Sequence, residues 1–309
     1  MGRPLLLSAS VYGVEETAMD LSIFLQGVVN GVLLGVFYAL IALGFSLIFG
    51  IMRVINFAHG QMYVVGAFIA YYFIARFHLN YFLVLFLAVC VTGVFGAVFE
   101  RLIFRPLQGR ELPAFIASLG LAWVLEMSTA IAFGPLDKSL PSYFDGIISV
   151  FGATFTTQRL MTVVIGVALV VALYLFLSLS RTGKAIRAVA QDREGATLQG
   201  IKADRMVAIT FAIGCALAGA SGVLMTPSFT VNPFVGSEIM VKTFTVIILG
   251  GVGSIPGALV GGLVLGFFES FACLVFRVCT VNVLSFAFII FILLMRPQGL
   301  LGRDEHKTG

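Results

Sequence analysis

The chain has 309 residues, 60% of them hydrophobic and only 11% charged, where a soluble domain carries about 25% charged residues. That composition, with a mean hydropathy of +1.06, excludes a soluble globular enzyme, and a net charge of +4 built from so few groups is no mark of a nucleic-acid-binding surface. The 34 glycines would be costly inside soluble helices but are common where membrane helices pack closely, so the expected fold is an all-α, polytopic membrane bundle, not a β-barrel.

Residues 1–20 read as a short head with Arg3 set against Glu15, Glu16 and Asp20, and Met19 offers an alternative start. Residues 21–52 contain no charged side chain, and 22–50 make a first span with Asn30 and a Gly31-xxx-Gly35 face. Residues 53–61 are a polar break carrying Arg53, Asn56, His59, Gly60 and Gln61. Spans follow at about 62–75, 82–104 and 113–133, the last two separated by a basic loop with Arg101, Arg105, Pro106 and Arg110. A turn-rich connection at 134–158 leads to a fifth span, 160–180.

Residues 181–205 are the longest strongly charged stretch and read as two short helices. Thr182 is placed to cap the first and Asp192 the second, Glu194 and Gly195 fall in the second helix's first turn, and Gly200 followed by Ile201 matches a glycine stop. Two readings fit this pair: a docking surface for another protein, or a solvated loop whose basic residues set topology. A sixth span at 207–226 precedes an irregular stretch, 228–238, with Asn232, Pro233 and Gly236. Residues 240–249 form a helical piece only ~15 Å long, too short to cross alone. It meets the glycine run 250–257, after which 258–273 and 283–295 supply the last apolar segments, closed by Arg296-Pro297. The expectation is eight or nine membrane segments with broken helices, in one domain from 21 to 300 followed by a tail at 301–309.

Of the 19 basic residues, 13 fall on one side of this arrangement, which is therefore the cytoplasmic side. The four cysteines, Cys90, Cys215, Cys273 and Cys279, lie in or beside apolar runs without CxxC spacing, so buried thiols are expected. Three histidines without HExxH spacing, a glycine run without GK[ST] and no Ser/His/Asp set leave no metal, phosphate-loop or nucleophile reading, and no cofactor.

Irregular backbone at membrane depth is tolerated where it is buried in protein or lines a wet cavity. The breaks hold Asn56, His59 and Gln61, and Asn232 and Glu238 with Lys242; each has an Asn followed four residues later by Gly, the trace expected of an internal two-fold repeat. These residues either line a polar path for a small solute or act as interhelical packing glue, with Glu238 pairing Lys242 at i,i+4. Glu126 and Glu269 are further acids in apolar surroundings, where an unpaired charge costs several kcal/mol.

Taken together, several stretches resemble the permease subunits of bacterial ABC importers for branched-chain amino acids, the LivH type. They are Asn30-Gly31 with Tyr38-Ala-Leu-Ile-Ala-Leu-Gly44, Ile55-Asn-Phe-Ala-His-Gly60, Arg105-Pro106, 183–201, Asn232-Pro233, GGVGSIPGALVGG up to Gly262, and Met295-Arg-Pro-Gln-Gly299. The resemblance covers nearly the whole chain after Met19. It implies an ABC-importer permease fold in the bacterial inner membrane, with two ATP-binding cassette subunits, a second homologous permease and an extracytoplasmic substrate-binding protein as partners. It makes 181–205 the coupling segment, with Lys184, Arg187, Asp192, Arg193, Glu194, Gly195 and Gly200 as its contact residues, and leaves ATP hydrolysis to the partners, since the chain has no Walker motif. The implied solute is a branched-chain or other hydrophobic amino acid, with Asn56, His59, Gln61, Asn232 and Glu238 along its path. Alternatives are urea or short amides, carried by related permeases, and a stand-alone secondary transporter.

Overall fold

The computed structural model describes residues 6–150, 153–276, 281–296 and 299–301. The first five residues, Arg277, Cys279, Pro297 and the tail from 302 lie outside the described residues. Eleven α-helices are described: α1 (Leu6–Met52), α2 (His59–Phe77), α3 (Tyr81–Phe99), α4 (Glu111–Phe133), α5 (Thr157–Leu179), α6 (Arg181–Gln191), α7 (Arg193–Leu198), α8 (Ala203–Met225), α9 (Val235–Gly250), α10 (Ile255–Phe276) and α11 (Val281–Met295). A π-helical turn, Glu100–Phe104, extends α3. Six of the described helices are long and apolar enough to cross a membrane: α1 from Ser22, α3 with its extension, α4, α5, α8 and α10. The expected eight or nine segments are thus not all spans by length and composition. α2 opens on His59 and Gln61 and ends on Arg76, which dilutes its apolar run, and α9 and α11 have only 16 and 15 residues.

Local chemistry explains several boundaries. Asn80 accepts from the Phe82 N–H to start α3, and Thr156 from the Arg159 N–H to start α5. At the charged pair, Ser180 and not Thr182 caps α6. Ser180 sits in extended backbone and its Oγ accepts from the Gly183 N–H at 2.8 Å, whereas Thr182 is already inside the first turn. Asp192 caps α7 as expected, accepting from the Gly195 N–H at 3.0 Å. Gly200, at φ +83°, turns the chain so that the Ile201 N–H reaches the Ala196 carbonyl, the glycine stop legible in the sequence. Two features differ from expectation. The connection after α4 contains an antiparallel hairpin, β1 (Ile147–Val150) with β2 (Ala153–Thr156). The helix expected at 240–249 begins at Val235, so Glu238 is helical and the irregular stretch ends at Phe234.

α1 and α8 form the centre. They touch where Gly44 meets Gly214: a Cβ on either glycine would stand 2.6 Å from the other's carbonyl oxygen. α10 packs along α1, with Gly262 and Gly266 against Ala39 and Gly35, and α3 packs along α8, with Gly96 against Phe211 and Cys215. The two halves therefore mirror each other in order: a central helix, a break, a helix with a polar N-terminus, then a helix returning along the opposite half's centre. The breaks even share a local device. The Asn56 side chain accepts from the Ala58 N–H at 3.1 Å, and the Asn232 side chain from the Phe234 N–H at 2.9 Å. Gly60 and Gly236, four residues beyond each Asn, lie against one another. Of the thiols, Cys215 is buried, but Cys90 is exposed on α3.

One end of the bundle collects Arg101, Arg105, α6, α7 and the α9–α10 turn, where Gly253 approaches Gly50 and the Leu300 N–H reaches the Leu249 carbonyl. The opposite end holds the hairpin and the loop after α4, joined by Lys138 pairing with Val231 and Arg159 bonding Asn30.

Candidate functional site

At membrane depth the bundle builds a polar cluster from four helices. Glu269 on α10, only 4% exposed, receives hydrogen bonds from Tyr38 of α1, from Lys242 of α9 at 3.2 Å and from Ser285 of α11 at 2.8 Å. The Lys242 ammonium also donates to the Tyr38 oxygen at 3.0 Å. Lys242 thus pairs with Glu269 across helices. The reason is reach: burying a carboxylate demands several donors, and α10 presents Glu269 to three of them at once.

Two cavities flank this cluster and share Glu238 and Lys242. One, of about 250 Å³, lies between α1, α2, the break before α9, and α9, and has apolar and aromatic walls that include Phe37, Tyr63, Phe229 and Ile239. The other, of about 190 Å³, lies between α9, α10 and α11. The larger has room for about eight waters at ~30 Å³ each, the scale of one small amino acid. Ser237, Glu238 and Val241 leave one face of α9 exposed, and a carboxylate such as Glu238 is too costly to turn toward hydrocarbon. That face is therefore shaped for water or protein.

The sequence-predicted residues divide accordingly. Glu238 lines both cavities. Asn56, His59 and Gln61 line neither, and all three are buried. His59 Nε2 lies 3.2 Å from the Ile41 carbonyl, with Phe45 edge-on to its ring, and Nδ1 has no partner. Gln61 donates to Glu126, which also receives a bond from Ser237, so this buried acid ties α2, α4 and α9 together. Asn232 donates to Asp137 at the outer end. Phe57 packs edge-on against Phe115 of α4. Sequence reading missed Tyr38, Tyr63 and Ser285. The available signal was faint: a hydroxyl in an apolar run is ordinary until a charge is seen to face it.

At the end of the bundle that carries α6 and α7, Lys184, Arg187, Asp192, Arg193, Glu194 and Gly200 are exposed and Gly195 is half-buried. α6 buries Gly183, Ile186 and Val189, so its stripe packs on the bundle while its basic side faces out. Leu198, at the end of α7, is 87% exposed. Arg193 turns inward: it bonds Asp204 of α8 and Gln108 beyond α3, each at 2.7 Å. Arg105 grips the fully buried Glu100 through two bonds of 3.1 Å and also donates to the Asp204 carbonyl. α7 is thereby fastened to the adjoining ends of both α3 and α8.

Residues 27–295 match the family described as the branched-chain amino acid transport system permease component. The chain belongs to this permease family. Similar curated proteins include the high-affinity branched-chain amino acid transport system permease LivH of Salmonella typhimurium and that of Escherichia coli K12, each 38% identical over 91% of this chain and 96% of its own length. BraD of Pseudomonas aeruginosa, named for the same role, is 37% identical over 91% of this chain and 97% of its own. No solved structure matches the chain. Membership makes it a multi-pass membrane permease, a class whose job is to hold a path and not to perform covalent chemistry. In a permease, the two features with most chemical content are the charged face of α9 and the fastened pair α6–α7.

Proposed function

We propose that this permease forms half of the translocation path of an ATP-driven importer for branched-chain amino acids in a bacterial inner membrane. The observation that carries the reading is the cavity at Glu238 and Lys242. A zwitterionic amino acid needs a cation for its carboxylate, an anion for its ammonium and an apolar wall for its side chain. Lys242, Glu238 and the Phe37–Ile239 wall supply these in one place. Urea or a short amide has no use for such a charge pair, which favours the amino acid.

The α9 face, with Glu238 exposed at membrane depth, faces a second permease of the same fold across the path. α2, α9 and α11 complete nine segments, with the N-terminus outside. Two ATPase subunits dock on α6 and α7, the Leu198 side chain entering a groove and Lys184, Arg187 and Glu194 making rim contacts; Asp192, Gly195 and Gly200 shape the pair. ATP-driven closure moves α7, and the Arg193 and Arg105 bonds hand the displacement to α3 and α8. Since α8 and α1 meet at Gly44 and Gly214 without side chains between them, the displacement reaches the Tyr38–Lys242 cluster as a rocking of rigid helices. A soluble binding protein delivers the solute at the outer end.

Affinity purification in mild detergent, followed by reconstitution, tests this. Recovery of two ATPase chains and a second permease, their loss with Leu198→Asp, and ATP-dependent leucine uptake that excess urea leaves unchanged are expected. Recovery of the chain alone, still transporting without ATP, would make it a secondary transporter. Undiminished leucine uptake by Glu238→Gln would remove the ammonium site.

A further inference from the structure

A large groove opens where α3 leaves the membrane and α8 enters it, with a volume of about 860 Å³. Five cations line it, Arg101, Arg105, Arg193, Lys202 and Arg205, against one acid, Asp204. Two of the five are committed: Arg105 to Glu100 and Arg193 to Asp204. Arg101, Lys202 and Arg205 make no ion pair among the described residues, and all three are exposed. The first turn of α8 adds the positive end of the helix dipole to this surplus of positive charge.

Val91, Val94, Val98 and Leu102 form an exposed apolar stripe down α3, at three- and four-residue spacing, which ends beside Arg101. The small Ala208 of α8 also lines the groove. A strip for acyl chains leading to a pocket for a phosphate is the pattern of a cytoplasmic-leaflet lipid site, since basic pockets between helices on that side bind anionic headgroups. A cytosolic protein would use the cations and leave the stripe uncovered. The geometry points to a bound anionic phospholipid, its phosphate diester held by Arg101, Lys202 and Arg205 and its chains on the α3 stripe. The lipid sits beneath α7 and bears on the same α3 and α8 ends that α7 grips. It neutralises the surplus charge there and sets how freely those ends separate when the ATPases close.

The test is titration of short-chain phosphatidylglycerol, and separately phosphatidylcholine, into the purified complex in neutral detergent, with bound lipid counted by native mass spectrometry. Preferential binding of phosphatidylglycerol by the unaltered complex is expected. Each basic residue near a charged headgroup contributes enough that Arg101→Gln or Arg205→Gln weakens binding about fivefold and the pair about thirtyfold. Arg181→Gln, a cation outside the groove, leaves it unchanged. Equal binding of both lipids, or an equal loss with Arg181→Gln, would reduce the effect to general surface charge and overturn the site. Displacement of the lipid by millimolar inorganic phosphate would make it a free-anion site. Loss of the ATPases with Arg101→Gln and Arg205→Gln, without change in bound lipid, would reassign the groove to protein docking.

Discussion

Replacing Lys242 by Met removes the cation from Glu269 while leaving a side chain of similar length. Removing one partner of a buried pair typically costs 3–5 kcal/mol because the other charge is stranded. Here Glu269 keeps its bonds from Tyr38 and Ser285, and Lys242 is 18% exposed against 4% for Glu269, so the lower end applies, about 3 kcal/mol. Glu269→Gln strands the ammonium instead, which retains some access to water, and costs about 2 kcal/mol. Changing both leaves no unpaired charge, and the Gln side chain still bonds its neighbours, so the double variant is expected to lose only about 2 kcal/mol. The non-additivity of about 3 kcal/mol is the upper range for residues in contact. Unfolding in mixed micelles titrated with sodium dodecyl sulfate and followed by circular dichroism measures all four corners of the cycle. A double variant that loses about 5 kcal/mol, the sum of the singles, would refute the ion pair as drawn. If the double variant is as stable as expected but no longer transports leucine, Lys242 acts on the solute as well as on Glu269.

The Ser180 cap predicts that Ser180→Ala costs α6 about 1 kcal/mol, read as faster amide hydrogen exchange at Gly183 and Lys184, whereas Thr182→Ala changes little. Gly214→Val is expected to separate α1 from α8, because its Cβ meets the Gly44 carbonyl and its methyls meet Ile48; overpacking of this kind costs about 1–3 kcal/mol, measurable in the same unfolding titration. Gln61→Leu leaves Glu126 with Ser237 as its remaining described donor, and is expected to destabilise by about 1–3 kcal/mol while leaving the affinity for leucine unchanged in uptake assays. Arg193→Gln is expected to keep the ATPases bound in pull-down but lower ATP-driven uptake, since it loosens α7 from α3 and α8 while leaving Leu198 and the α6 cations in place.

The sequence by itself determined the permease class and the charged helix pair at 181–205, because these rest on one-dimensional signals. Apolar run length, charge asymmetry, Asp192 before a helix and Gly200 after one are all local, and so was the paired Asn-to-Gly spacing of the two breaks. Only the tertiary structure decided which polar residues meet. Asn56, His59 and Gln61 interrupt a span, and the packing of α1, α2 and α4 buries them, while two cavities open at Glu238 and Lys242. The pairing of Lys242 with Glu269 joins residues 27 positions apart in the chain, and the grip of Arg193 on Gln108 joins stretches 85 positions apart. The physical reason is that a buried charge is satisfied by whatever donors the fold brings within hydrogen-bond reach, and in a bundle of antiparallel helices those donors come from distant parts of the sequence.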